Sequence, residues 1–390
     1  MPEVSGRAER NARRRAAGAL LRHCLIGEPP ADPTVTARLL ERTTDSSLLA
    51  MARYHGAGGW LYESVQGLPV ASTTLLAGLE EDHRSVVRWH MHGLWQLVRI
   101  GKALQTAGAR WVAVKGAVLV DTVHGPLGRR PYKDLDVLVH PHDFGGALAA
   151  LQADGGVLLD RNWPLLRRDR RAQVHLAMPS GIEIDLHWDL VNVNRRRMAI
   201  DTGVILDRSA VVDLGGLSVP TLDPADSVIH LAVHAAVSGG DKLMWLKDIE
   251  RSAAIRPPDW EDVVERAIEW RVAGPVGLML LRALDVLAAE IPANVPVRLL
   301  GTRLARFVRF VDRLEPLEAS PGGPTPARVL ARAIGHGVIG GGVVMAHRLI
   351  RHFDPREPAR SSPFTAVGNT GDRELYLRTV SESGREGSKR

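Results

Sequence analysis

Apolar positions along the chain change period from helical to strand-like and back, and each change predicts a different kind of element. From residue 33 to 108 the period is helical. Val87, Met91, Leu94, Val98 and Leu104 recur at helix-compatible spacing and predict one buried face, with Gly108 closing the helix as a C-cap glycine would. Short apolar runs then replace the helical pattern. Trp111-Val112-Ala113-Val114 predicts a strand delivering Lys115-Gly116 to a helix start, and Asp134-Leu135-Asp136-Val137-Leu138-Val139 predicts a second strand halted by Pro141. A helix is expected over 142–153. Two further strands, Val174 to Met178 and Ile182 to Trp188, are joined by the turn-forming Pro179-Ser180-Gly181. From Asp223-Pro224, an N-cap followed by proline at the first helical position, the helical period returns. It predicts helices over 224–238, 242–254, 259–272, 276–290 and 297–314.

This order defines an α+β chain in which a mixed sheet with helices is flanked by N-terminal and C-terminal all-helical regions. Residues 1–32 are charged and close on Gly27-Glu28-Pro29-Pro30, which predicts a flexible N-terminal segment of frayed helix and linker. A helical region over 33–108, a sheet-bearing core over 109–222 and a helical domain over 223–318 follow. Pro321-Gly322-Gly323-Pro324 marks a linker before an apolar helix over 326–353. Beyond it, residues 354–390 are rich in Pro, Ser, Gly, Arg and Glu and predict a disordered tail.

Composition narrows the function classes. With 390 residues and 45% apolar content the chain can bury a large core, and its length suits two or three domains. The formal charge of +6 comes from arginine, since lysines number only six, so it is weak evidence for nucleic acid. No long basic groove interleaved with aromatics is visible outside the sheet region, which argues against a polymerase. Cys24, the single cysteine, excludes an internal disulfide and a cysteine-based zinc site and predicts a cytoplasmic location. No apolar run reaches the length of a membrane span, and no leader pattern precedes the first helix.

Candidate chemistry concentrates in the sheet region. In Asp134-Leu135-Asp136 the acids sit at i and i+2, so both leave one face of the strand while Leu135 and Val137 turn inward. Asp185 repeats the arrangement within Ile182-Glu183-Ile184-Asp185-Leu186, a strand expected to lie antiparallel beside the first. Glu183 shares the face of Asp185, and periodicity alone leaves both open as the third carboxylate. Acids converging without a cationic partner repel one another, and a divalent cation relieves that repulsion. Lys115, at a turn where backbone N–H groups add to its charge, is a candidate phosphate contact. His230 and His234 share a helix face, but Leu231 stands where a zinc protease needs glutamate, so the pair is expected to pack near a domain junction. The glycines from Gly335 to Gly342 lack the Lys-Ser/Thr of a phosphate-binding loop.

Three blocks carry a resemblance: Val112-Ala113-Val114-Lys115-Gly116-Ala117, Arg130-Pro131-Tyr132-Lys133-Asp134-Leu135-Asp136-Val137-Leu138-Val139 and Ile184-Asp185-Leu186-His187-Trp188. Together they resemble the uncharacterised nucleotidyltransferase family of bacteria, a branch of the DNA polymerase beta-like superfamily, over roughly residues 50 to 255. The resemblance implies a nucleotidyltransferase-type sheet and two Mg²⁺ or Mn²⁺ ions held by Asp134, Asp136 and Asp185. Asp185 is then favoured over Glu183 as third carboxylate and base. Lys115, Gly116 and Arg130 are implied in nucleotide binding, with His187 lining the base or acceptor pocket. Trp245-Leu246-Lys247-Asp248 also resembles the family's helical region, which implies that Lys247 or Asp248 reaches the cleft. Most of the superfamily has Gly-Ser where this chain has Lys115-Gly116, so the serine hydroxyl is missing and Lys115 with backbone N–H groups must bind phosphate. The implied reaction moves a nucleoside monophosphate, AMP from ATP, to the hydroxyl of a small molecule, natural product or protein and releases pyrophosphate. The competing reading is a nucleotide-binding regulator or assembly partner without turnover.

Overall fold

The computed structural model describes residues 2–192, 198, 200–320, 322, 325–335 and 362–387. Five helices come first: α1 (Pro2–Leu25), α2 (Pro33–Leu40), α3 (Asp45–His55), α4 (Gly58–Val65) and the long α5 (Thr73–Thr106). The sheet region follows with β1 (Trp111–Val114), the short α6 (Gly116–Leu119) running into a π-turn over Val120–His124, β2 (Asp134–Val139) and α7 (Phe144–Ala153). It continues through β3 (Val157–Leu158), α8 (Trp163–Arg168), β4 (Gln173–Ala177), β5 (Glu183–His187), α9 (Thr202–Asp207), β6 (Ala210–Asp213) and β7 (Ser218–Thr221). The helices α10 (Pro224–Ser238), α11 (Leu243–Ile255), α12 (Trp260–Glu269), α13 (Ala273–Leu287), α14 (Asn294–Leu300) and α15 (Thr302–Leu314) complete the main body. A helix over 326–335 and a C-terminal helix, Thr370–Gly387, lie beyond it.

Seven strands form one mixed sheet in the order β3-β4-β5-β2-β1-β7-β6. β1 is antiparallel to β2, whereas β2 and β5 run parallel. That corrects the expected antiparallel pairing of the two acid-bearing strands. The reason is that β4 and β5 form the hairpin with each other, so β5 reaches β2 in the same direction. The pleat sends alternate residues to two cores. Leu135, Val137, Ile184 and Leu186 join α5, α7 and α8 on one face, while Leu138 joins α10 and the helical layer on the other.

Several expectations from sequence change in three dimensions. The N-terminal segment is not a flexible arm: Leu20, Leu21, Cys24 and Leu25 of α1 are buried in the same core as α10, α11 and α13. Gly18 explains the close approach, because a Cβ there would lie 2.3 Å from the carbonyl oxygen of Glu318. Arg22 Nε donates to Val286 O at 2.8 Å on the same side. The single helix expected over 297–314 is broken at Gly301, whose φ of 77° ends α14 and starts α15. The tail expected to be disordered contains the C-terminal helix, and its Tyr376 and Val380 are buried against Phe144 and Trp163 in the second core. The apolar helix expected over 326–353 is helical through 335, and its remainder lies outside the described residues.

In α5 the predicted face holds only in part: Leu104 is buried and Leu94 packs against the second core, as expected. Met91 and Val98 are exposed, and the buried stripe is His90, Gly93, Gln96, Leu97, Ile100 and Leu104. Polar members of that stripe find internal partners, although Gln96 Nε2 has none among the described residues. His90 contacts the Tyr132 hydroxyl at 3.2 Å and Asp121 at 3.2 Å, and Gln96 Oε1 accepts from Ser180 Oγ at 2.8 Å.

Candidate active site

The register of β2 against β5 places Asp136 opposite Asp185, Asp134 opposite Glu183 and Leu138 opposite His187. Neighbouring strands lie about 4.8 Å apart, so this pairing alone makes Asp136 and Asp185 neighbours. Asp136, Asp185 and His187 each present a ligand atom, all within 4.8 Å of one another, and all three side chains are buried. Asp134 shares their face and lines the same cleft but stands outside this tight group. Glu183 is exposed at the strand start, so the carboxylate that joins the cluster is Asp185.

β1 brings the cation. Its Val114 pairs with Asp136, and Lys115 follows in a left-handed conformation (φ 50°) that turns its side chain back over the sheet. Lys115 Nζ lies 2.8 Å from Asp136 Oδ1, and His187 Nε2 donates to the same oxygen at 3.0 Å. Gly116 (φ 41°) completes the turn, where an added Cβ would stand 3.3 Å from the Asp134 carbonyl oxygen. These contacts divide the carboxylates electrostatically. Burial would raise Asp136, but the charges and hydrogen bonds of Lys115 and His187 outweigh it and hold this carboxyl well below its usual range. Asp185 is pushed up to about 6, chiefly by burial and further by the Asp136 charge, against the pull of His187 and His175. Asp134 is raised by burial and then by Asp136.

Arg130 borders the cleft but is buried, with its guanidinium committed to Asp248. Its Nε and Nη2 bond both oxygens of Asp248, at 2.7 and 2.9 Å, and Nη1 donates to Gly116 O at 3.3 Å. His124 Nε2 adds a 2.8 Å bond to Asp248. Burial would raise the Asp248 carboxyl, yet the Arg130 charge and these hydrogen bonds bring it down to about 2. The group therefore anchors the Lys115-Gly116 turn from beneath. Asp248 borders the cleft, whereas Lys247 turns away, with Nζ 2.6 Å from Glu250 Oε2 and 4.3 Å from the centre of the Trp60 ring.

Sequence reasoning missed four neighbours. Gln173 Nε2 donates to Asp185 Oδ2 at 2.9 Å. His175, held by Asp160 at 2.8 Å, places Nε2 3.5 Å from Asp185 Oδ1. His230 and His234 come from α10, and His234 Nδ1 lies 3.5 Å from Lys115 Nζ. Burial drives the His234 pKa down to about 3 and that of His230 well below normal, so both rings are neutral. Their spacing on one helix face was the available signal, but only the tertiary fold points that face at Lys115.

The donor set suits a hard divalent cation: carboxylate oxygens of Asp136 and Asp185 converge with an imidazole, and Asp134 stands on the same face. Two cavities meet at Lys115, Asp134, Asp136 and His234. One, of about 330 Å³, extends past Lys133, Lys242 and Trp245, and the other, of about 260 Å³, extends under α10 past Asp185 and His187.

No curated protein matches this chain. A family model described as uncharacterised nucleotidyltransferase matches residues 41–288, a span holding β1, β2, β5 and α10 and therefore every residue of the carboxylate cluster. That span is more than half of the sequence, and the acids, lysine and glycine that carry the resemblance are gathered at one point within it. The chain belongs to the uncharacterised nucleotidyltransferase family.

Proposed function

We propose that the protein is a cytoplasmic, metal-dependent enzyme that transfers a nucleoside monophosphate, AMP from ATP, to an acceptor hydroxyl with release of pyrophosphate. The observation that carries this reading is the Asp136–Asp185 register, with Asp134 and Lys115 on the same face. Asp134, Asp136 and Asp185 would hold Mg²⁺ or Mn²⁺, which when bound supplies charge neutralisation for the triphosphate and the departing pyrophosphate. Lys115 is placed to exchange its bond to Asp136 for one to a phosphate oxygen. Asp185, the carboxyl whose buried setting raises its proton affinity, is placed to accept the proton of the attacking hydroxyl. Arg130 and Asp248 hold the Lys115-Gly116 turn still while this happens.

The test follows pyrophosphate release and transfer of label from each α-labelled nucleoside triphosphate, with Mg²⁺ or Mn²⁺ and an extract of the source cell. Asp185→Asn should retain nucleotide affinity within about twofold and lose transfer, because a base acts mainly in the transition state. Undiminished transfer in that variant would remove Asp185 from the reaction. Failure of the wild-type protein to transfer label from any nucleotide would favour a nucleotide-binding regulator.

A further inference from the structure

Among the described residues, five lysines and arginines line the larger cavity at the carboxylates, and three of them are already committed to an acid. Arg53 bonds both oxygens of Asp82, Arg130 bonds both oxygens of Asp248, and Lys115 lies 2.8 Å from Asp136. Lys133 and Lys242 are the other two, and neither has a carboxylate partner among the described residues. Lys242, immediately before α11, rests on aromatic faces instead, with Nζ 5.2 Å from the centre of the Trp245 ring and 5.7 Å from that of Tyr54. Its neighbour Asp241 is taken up by the Tyr54 and Ser320 hydroxyls and by Arg328. Burial lowers the Lys242 pKa, and the charge of Lys133 lowers it further against the pull of Asp241. Two neighbouring ammonium groups without a bonded acid are the reverse of the carboxylate cluster, and an anion relieves them. The family resemblance implied Lys247 for this cleft, but Lys247 is bonded to Glu250, and Lys242 is the lysine that this helix start presents there.

Resting on the nucleotidyl-transfer reading, we propose that Lys133 and Lys242 together seat the β- and γ-phosphates of the nucleoside triphosphate, one lysine coming from the sheet region and the other from the start of α11. The reacting α-phosphorus belongs at Asp134, Asp136 and Asp185 beside Lys115, where the transfer takes place. The two phosphates beyond it carry most of the remaining charge, and Lys133 and Lys242 are the uncommitted cations of the same cavity. Ring faces hold an ammonium less tightly than a phosphate oxygen does, so Lys242 can change partners without uncovering an acid. Arg53 and Arg130 could do so only by exposing Asp82 or Asp248. Lysine also suits a seat that has to release its anion, because it binds as a point charge and lacks the two-pronged fork of arginine. In the transfer, the acceptor oxygen forms its bond to the α-phosphorus and its proton passes to the Asp185 carboxylate, while the bond from that phosphorus to the bridging oxygen of the β-phosphate breaks. The electron pair stays on the pyrophosphate, whose added negative charge then faces Lys133 and Lys242.

Calorimetry with inorganic tripolyphosphate, ATP and AMP, each with Mg²⁺, separates this seat from the rest of the nucleotide. Lys133→Gln and Lys242→Gln remove the charge and keep a polar side chain. Each should weaken ATP and tripolyphosphate by roughly tenfold or more and leave AMP within about twofold of wild type, which also shows that the variants are folded. Wild-type affinity for ATP in either variant overturns the proposal. An equal loss of AMP and ATP overturns it too, by placing these lysines on the α-phosphate or the nucleoside. Should Lys242→Gln fail to fold, Lys133→Gln decides alone, since Lys133 is exposed. Tripolyphosphate binding that depends on both lysines, without any ATP binding by wild type, would instead overturn the nucleotidyl-transfer reading and leave the seat standing. Wild-type protein that binds neither probe overturns both.

Discussion

Lys115 is the residue on which most of the local electrostatics turns, because it compensates a carboxylate whose ionised form burial opposes. Lys115→Ala leaves Asp136 buried beside Asp134 and Asp185 with only His187 opposite it. ATP–Mg²⁺ affinity should fall by about 1–3 kcal/mol, the range for an unpaired charged group, and calorimetry that returns the wild-type value would reduce Lys115 to a strand-end lysine. His55, which lines the larger cavity, gives a pH dependence of its own. Burial lowers its pKa to about 4, and its Nδ1 accepts the Leu243 N–H at 3.3 Å, a bond that a protonated ring cannot make. The unfolded chain takes up this proton near the usual histidine value of about 6.5, so stability is full above that pH and falls as pH drops toward 4. Urea unfolding at pH 7 and 4.5 should show a smaller acid loss in His55→Gln than in wild type. At this scale the common face of Asp134 and Asp136 is legible in sequence from strand alternation, whereas the choice of Asp185 over Glu183 came from the family resemblance. The Arg130–Asp248 pair and the Lys115–His234 contact are not legible there, since they join positions more than a hundred residues apart.

At the scale of elements, strands and caps follow from the sequence more faithfully than faces do. Asp223 caps α10 by accepting the Asp226 N–H at 2.7 Å, as an Asp-Pro start dictates. The middle of the buried stripe of α5 escaped because His90, Gly93 and Gln96 occupy it while Met91 and Trp95 face outward. Hydrophobic periodicity reads burial only where buried positions are apolar, and His90 and Gln96 are buried with partners instead. α1 offers a test in which two effects oppose each other. Propensity favours Gly18→Ala by about 1 kcal/mol in a helix interior. Packing opposes it, because the new Cβ would press on the Glu318 carbonyl, and overpacking costs about 1–3 kcal/mol. The expected net result is destabilisation in urea unfolding. A stabilised Gly18→Ala protein would show that α1 does not seat against residues 317–319.

Over the whole molecule, the flanking helical regions expected from sequence are not independent flanks. Residues from α1, α4, α10, α11 and α13 share one core, and the C-terminal helix closes the opposite side of the sheet. Nothing in local periodicity announces that merger, because each helix looks amphipathic whichever partner it meets. The long reach of α1 has a consequence in time. Arg22 bonds to Val286, 264 positions later, so on the ribosome α1 meets α2, α3 and α4 early but waits for α13 and residues 317–319. At elongation rates of about 5–20 residues per second, the wait is on the order of tens of seconds, during which Leu20, Leu21 and Leu25 have no α13 to cover them. Nascent chains stalled before residue 286 should therefore be cut by protease within α1 and retain bound chaperone, whereas chains released at full length should resist. Synthesis thus leaves one side of α1 uncovered through most of translation, and expression yield should respond to chaperone supply more steeply than the stability of the finished protein would suggest.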